Sequence, residues 1–189
     1  MAEMYRSMGI SYPKFFKMDL LSKAGFLAAE KVMSQAAADN ELRKENMAVA
    51  LVNSTSSTCD DREFQKGLET DNFFPSPSLF VYTLSNIVCG EIAIRHGIKG
   101  ETSFYVQPSF SAEFLERAVE WAFQDPRMET VLCGWVECMT ERPRCMMMLV
   151  AGESAGGTDF NEENIKEIFN ITESNFYGRD NRHIEKADH

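Results

Sequence analysis

Four short runs limit what this chain can fold into. Met47–Val52 (MAVALV), Thr102–Gln107 (TSFYVQ), Thr130–Val136 and Arg144–Ala151 are of strand length and rich in branched, aromatic or other apolar side chains. Segments with helical spacing separate the first three. Strands that alternate with helices form sheets with parallel pairs, because each crossover helix carries the chain back to the starting edge. Only a short turn around Glu141, Arg142 and Pro143 lies between the last two runs, which predicts a hairpin and one antiparallel pair. The expected fold class is therefore α/β, with a mixed, mostly parallel sheet and helices on both faces.

Asp19 is placed to cap a helix from Leu20 to about Gln35, whose buried stripe is Leu21, Ala24, Ala28 and Val32, widened by Leu20, Phe26 and Leu27. After the first strand comes a polar loop, NSTSSTCDD at 53–61, with Asp60 or Asp61 as the cap of a short helix through Leu68. Phe73–Ser78 reads as irregular because of Pro75 and Pro77, and a helix from about Thr83 to His96 is ended by Gly97. Within it Gly90 costs about 1 kcal/mol relative to Ala unless another element packs closely there. Ser109 or Ser111 can cap a helix over Ala112–Gln124, with Phe114, Ala118, Trp121 and Ala122 as its stripe and Leu115 and Val119 beside them. Pro126 follows it, and Asn161–Phe169 predicts a last helix. The chain divides into a single domain over 1–172 and a frayed C-terminal tail over 173–189.

Composition narrows the function classes. Nineteen basic against 29 acidic residues give a net charge of −10, which disfavours a nucleic-acid or anionic-membrane surface. The longest apolar stretch, Met146–Ala151, is far short of a membrane span. Met1–Ser7 contains Glu3 and Arg6 and no apolar core, so no secretory signal is expected and the expected location is the cytoplasm. The five cysteines, Cys59, Cys89, Cys133, Cys138 and Cys145, include no CxxC pair and read as reduced thiols, with Cys89 and Cys133 as small core residues. Cys59 with Asp60 and Asp61 is an incomplete ligand set and reads as a solvated helix start, so no metal is expected. Met146–Met148 reads as core strand, with an acyl-chain pocket as the sharper alternative. Arg142 and Arg144 read as a solvated turn, with an acidic carrier protein as the alternative.

The segment Pro75–Gly100, PSPSLFVYTLSNIVCGEIAIRHGIKG, resembles the ketosynthase branch of the thiolase superfamily. In that family a Ser/Pro-rich loop leads to a phenylalanine, then an Asn and a Gly on a helix, then a small loop ending in Gly. Phe80, Asn86, Gly90, Ile94, Gly97 and Gly100 match those pieces. Leu132–Glu137 (LCGWVE) resembles a later family strand ending in small residues and Glu, and KFFKMDLLSKAGFLAAEKVM resembles the helix before the second conserved strand. The resemblance runs from about Tyr12 to Gly152 and implies the N-terminal half of a thiolase-like fold.

Family members carry a nucleophilic cysteine about nine residues after the Gly matching Gly100. Here that position is Ser109, preceded by Pro108. The resemblance thus makes Ser109 the candidate catalytic residue and Phe80, Asn86 and Ser111 candidate binding residues. A serine there needs a positioned base, and the plain role of Ser109 is a helix cap. The family's catalytic histidines come from its C-terminal half, while the only histidines here are His96, His183 and His189. What the resemblance implies is a ketosynthase-like accessory subunit of fatty-acid, polyketide or aryl-polyene biosynthesis, a pseudoenzyme without condensing activity. The alternative is an acyltransferase handling acyl thioesters with Ser109 or Cys89 as nucleophile. The family uses no metal or organic cofactor. Expected partners are a second copy or a full-length ketosynthase, and an acyl-carrier protein, because a lone half-fold leaves the 112–124 helix in need of cover from a partner or from the chain's own C-terminal segment.

Overall fold

In the computed structural model β1 (Met47–Asn53) is buried at every residue, which places it inside the sheet rather than at an edge. Residues 1–39, 42–68, 75–139, 143–152 and 157–184 are described, except for the side chains of 37–39 and 175–184. β1 lies between β2 (Thr102–Val106) and β3 (Thr130–Glu137), parallel to both, and β4 (Arg144–Ala151) runs antiparallel on the far side of β3. The order β2-β1-β3-β4 is the expected mixed, mostly parallel sheet, and the hairpin register pairs Glu137 with Arg144. Its turn, with Arg142, lies outside the described residues.

Alternation along β1 builds two cores. Met47, Val49 and Leu51 face α2 (Leu20–Asp39) and α5 (Ile87–His96), while Ala48, Ala50 and Val52 face α6 (Ala112–Phe123) and α7 (Glu162–Ile184). Helices thus cover both faces, as a central parallel strand requires. Asp19 caps α2 as expected, accepting from the Leu21 and Ser22 N–H groups at 2.8 and 3.2 Å. A third cluster packs on the outer side of α2: Tyr5 from α1 (Ala2–Ser7) and Phe15 from a 3-10 turn (Pro13–Lys17) stack at 4.4 Å beside Phe26. This aromatic cover explains why α2 is buried on two sides and not along one stripe.

Several expectations are corrected. α3 (Thr58–Lys66) begins after Ser57, not after Asp60 or Asp61. The helix expected over 83–96 is shorter, α5 starting only at Ile87, and a separate helix precedes it: α4 (Pro77–Tyr82), started by Ser76 and with Pro77 in its first turn, where a missing N–H costs nothing. Phe73 and Phe74 lie outside the described residues. Gly90 is not a close-approach site, since a Cβ there would meet nothing within 4 Å. That role belongs to Gly25, where a Cβ would run into Val88 and push α2 off α5. The buried stripe of α6 is Ala112, Leu115, Ala118 and Val119, rotated from the expected one, and Trp121 is 41% exposed. α7 continues past Phe169 to Ile184 and covers part of α6, with Ile165 buried and Phe169 stacked on Phe110 at 3.7 Å. The chain's own C-terminal helix thus supplies part of the cover that α6 needs. No helix among the described residues is long and apolar enough to cross a membrane.

Candidate functional site

The three parallel strands end at one edge of the sheet, at Asn53, Val106 and Glu137. From β1 the chain leaves toward the α2/α5 face, and from β2 it leaves toward α6 on the other face. Neighbouring strands whose exits diverge open a crevice at their carboxyl ends, the usual place for a ligand in an open α/β sheet. Ser109 lies at that end of the sheet, on the exposed bend between β2 and α6.

The chemistry around Ser109 is sparse. It is exposed, and its hydroxyl makes no hydrogen bond among the described residues. Its expected capping role falls to Ser111, whose Oγ accepts from the Phe114 N–H at 3.1 Å. His96 ends α5, near the start of β1, at the opposite edge of the sheet. Its Nε2 lies 3.5 Å from Glu30 Oε1, and burial lowers its pKa against the pull of that carboxylate. The side chain of His183 and all of His189 lie outside the described residues.

The other candidates are scattered. Cys89 is fully buried on α5; its thiol points to the Ser103 carbonyl at 3.6 Å, and burial pushes its pKa up to about 12. A thiol held neutral in this way is a poor nucleophile. Phe80 is 55% exposed on α4, its ring 5.5 Å from that of Phe64. Asn86 is exposed at the start of α5 and its side chain caps nothing. Arg144 is not a solvated turn residue: its guanidinium donates to Glu173 on α7 at 2.7 Å. Met146 is buried, and Met147 and Met148 pack on opposite faces of the sheet, as core strand.

What sequence reasoning missed is a buried polar cluster beside the crevice. Asn53 is fully buried and closes the turn after β1, its Oδ1 accepting from the Ser56 N–H at 2.9 Å and its side-chain amide donating to the Ser56 carbonyl at 2.8 Å. Ser56 takes a φ of 52°, in the left-handed region that side chains avoid, so this turn is held against local preference. Glu137, 2% exposed, holds the same loop from β3: it accepts from the Ser54 N–H at 2.9 Å, the Cys138 N–H at 3.1 Å, and the Ser54 and Thr55 hydroxyls. An ionised carboxylate only accepts, so four donors suit it. Ser57 is buried and donates to the Thr83 carbonyl, tying the loop to the end of α4.

Asp60 is also buried, which overturns the solvated reading of Cys59–Asp61. Its carboxyl hydrogen-bonds Asp19, and burial, with the Asp19 charge added, pushes its pKa up to about 7. Cys59 donates to the Cys138 carbonyl at 2.7 Å. Among the described residues no group of three or more His, Cys, Asp or Glu side chains is placed to hold a metal ion. A signal was present: nine polar or small residues directly follow a strand with no polar face, so their backbone has to be satisfied at a buried edge.

No family model and no curated protein sequence matches this chain. Solved structures do. The ishigamide ketosynthase/chain length factor superposes with a TM-score of 0.60 at 19% identity, over 74% of this chain and 45% of that one. A ketosynthase in complex with its chain length factor from Xenorhabdus doucetiae gives 0.56 at 12% identity, over 86% of this chain and 74% of that one. A type II PKS acyl-carrier protein in complex with its ketosynthase gives 0.54 at 18% identity, over 70% of this chain and 38% of that one. The chain spans less than half the length of the first of these. At such identities the likeness is one of architecture, and that architecture is the thiolase-like α/β fold of ketosynthases, present here in part.

Proposed function

We propose that this chain is a ketosynthase-like accessory subunit in fatty-acid, polyketide or aryl-polyene assembly. It forms no carbon–carbon bond by itself and acts by pairing with a full-length ketosynthase or a second copy. One observation carries this reading: the residue at the crevice is an exposed serine whose hydroxyl has no partner among the described residues, while the imidazole of His96 sits at the far edge of the sheet. General-base activation needs a base within hydrogen-bond reach of the nucleophile. The alternative, acyl transfer from Ser109, requires a base from another chain, and Cys89 is disfavoured by its burial.

The pairing surface is argued from β2. Its only strand neighbour among the described residues is β1, so its outer backbone groups are open to a partner strand. Val106 is 49% exposed at its end, and Tyr105, Phe114 and Trp121 form an aromatic group beside it, with ring centroids 5.4–5.9 Å apart. An edge strand next to exposed aromatics fits a protein partner.

Co-expression with a full-length ketosynthase from the same organism, followed by native mass spectrometry, tests this. The expected species is a complex that Trp121→Glu or Val106→Glu dissociates without unfolding the chain. A strictly monomeric mass at micromolar concentration in both the presence and absence of the ketosynthase contradicts it. Incubating the chain alone with an acyl thioester separates the two readings, since a covalent adduct on Ser109 in the intact mass supports acyl transfer.

A further inference from the structure

We propose that Cys59 and Cys138 form a redox-responsive dithiol pair, which small-molecule disulfides of the glutathione type convert to a cross-link between α3 and the end of β3. The inference is independent of the accessory-subunit reading. Cys59 stands in the first turn of α3 and is half-buried, so a small reagent reaches it. Cys138 is the first residue after β3 and is 4% exposed. The two are 79 positions apart in sequence, yet the Cys59 sulfur lies 2.7 Å from the Cys138 carbonyl oxygen, so the fold brings the two residues side by side.

The other three cysteines sit elsewhere in the sheet and helices. Cys89 lies on α5 against β2, Cys133 is fully buried in mid-β3, and Cys145 pairs with Val136 inside the hairpin. Burial pushes the Cys89 and Cys133 thiols upward, that of Cys89 to about 12, which disfavours the reactive thiolate; Cys145 is part-exposed, and peptide mapping decides whether it takes part.

The exchange balances in two steps. The Cys59 thiolate attacks one sulfur of oxidised glutathione, breaking its S–S bond; one glutathione leaves as thiolate and takes up a proton from water. The Cys138 thiol then gives its proton to solvent and attacks the Cys59 sulfur, and the second glutathione leaves. Two protein thiols are oxidised and one glutathione disulfide is reduced. Burial and the nearby Cys59 push the Cys138 thiol up to about 12, so the second step is the slower one and the Cys59–glutathione adduct precedes the cross-link. The cross-link joins α3 to the strand end whose Glu137 holds the Ser54–Thr55 loop, so it stiffens the attachment of that loop to the sheet.

The test uses the full chain, reduced, desalted and exposed to oxidised glutathione, with acid quenching, intact mass and non-reducing peptide mapping. The expected end product has lost two hydrogens, contains a Cys59–Cys138 linked peptide, melts higher than the reduced form and reverts with dithiothreitol. Cys59→Ser, which keeps a donor for the Cys138 carbonyl, abolishes the linkage. Persistence of the glutathione adduct without closure, a linkage between other cysteines, or five alkylatable thiols after treatment each overturns the proposal. The peptide map of the unaltered chain decides the matter even if the variant misfolds.

Discussion

Asp60→Asn is expected to stabilise this protein above neutral pH and to leave it unchanged in acid. The Asp60 carboxyl is buried and hydrogen-bonded to Asp19, which is itself occupied in capping α2. With its pKa at about 7 in place of 3.8, the folded chain prefers the protonated acid. A raised folded-state pKa gives stability that is fully present below the unfolded value and is lost as pH rises through the folded one. The loss therefore runs from about pH 4 to somewhat above pH 7. Three units at roughly 1.4 kcal/mol each set an upper figure of about 4 kcal/mol. Asp60 adjoins the exposed Asp61, and water at that rim reduces the figure to about 2 kcal/mol. Asparagine mimics the neutral acid and still donates to Asp19. Urea unfolding of both proteins, from about pH 4 to about pH 8.5, isolates the Asp60 contribution because the other carboxylates cancel in the difference. The expected difference is near zero at the acid end and about 2 kcal/mol in favour of the variant at the alkaline end. Parallel pH profiles, or a variant less stable at alkaline pH, would refute the argument.

Glu137→Gln replaces an acceptor oxygen with a donor that faces the Ser54 N–H or the loop hydroxyls, and we expect a loss of about 2–3 kcal/mol in denaturant unfolding; an unchanged midpoint would show that the Ser54–Thr55 loop does not depend on it. Ser111→Ala is expected to cost about 1 kcal/mol as a lost cap, whereas Ser109→Ala stays within about 0.5 kcal/mol of the parent. The reverse order in thermal melts would mean that Ser109 caps α6. Gly90→Ala is expected to gain about 0.5–1 kcal/mol from helix propensity, since the added methyl meets open space; destabilisation by the same measure would place an element against that face.

The sheet and its order of elements were legible because MAVALV and its companions carry an unmistakable strand pattern, and helix caps such as Asp19 and Ser111 sit where local chemistry demands them. Phe15, Tyr5 and Phe26 were not assembled from sequence, since their contacts join segments by tertiary packing alone. α4 was missed for a local reason: Pro77 reads as a helix breaker but serves equally well in a first turn. At the site, Ser109 follows β2 on the bend before α6, as the spacing from Gly100 leads one to expect of a residue between a strand and a helix. The polar cluster was illegible because Asp60, Glu137, Cys59 and Cys138 come together from chain positions some 80 residues apart. Asp60 and Asp61 also look alike in sequence, and only the tertiary placement of Asp60 beside Asp19, the cap of α2, buries it and leaves its neighbour exposed.

The most direct measurement of the central claim is a condensation assay on the purified chain with an acyl thioester and a malonyl carrier protein, with products followed by mass spectrometry, run alone and with a full-length ketosynthase. The account predicts no chain extension by this protein alone and an altered product profile when it is added to the ketosynthase. Extension by the lone chain, abolished by Ser109→Ala, would contradict it.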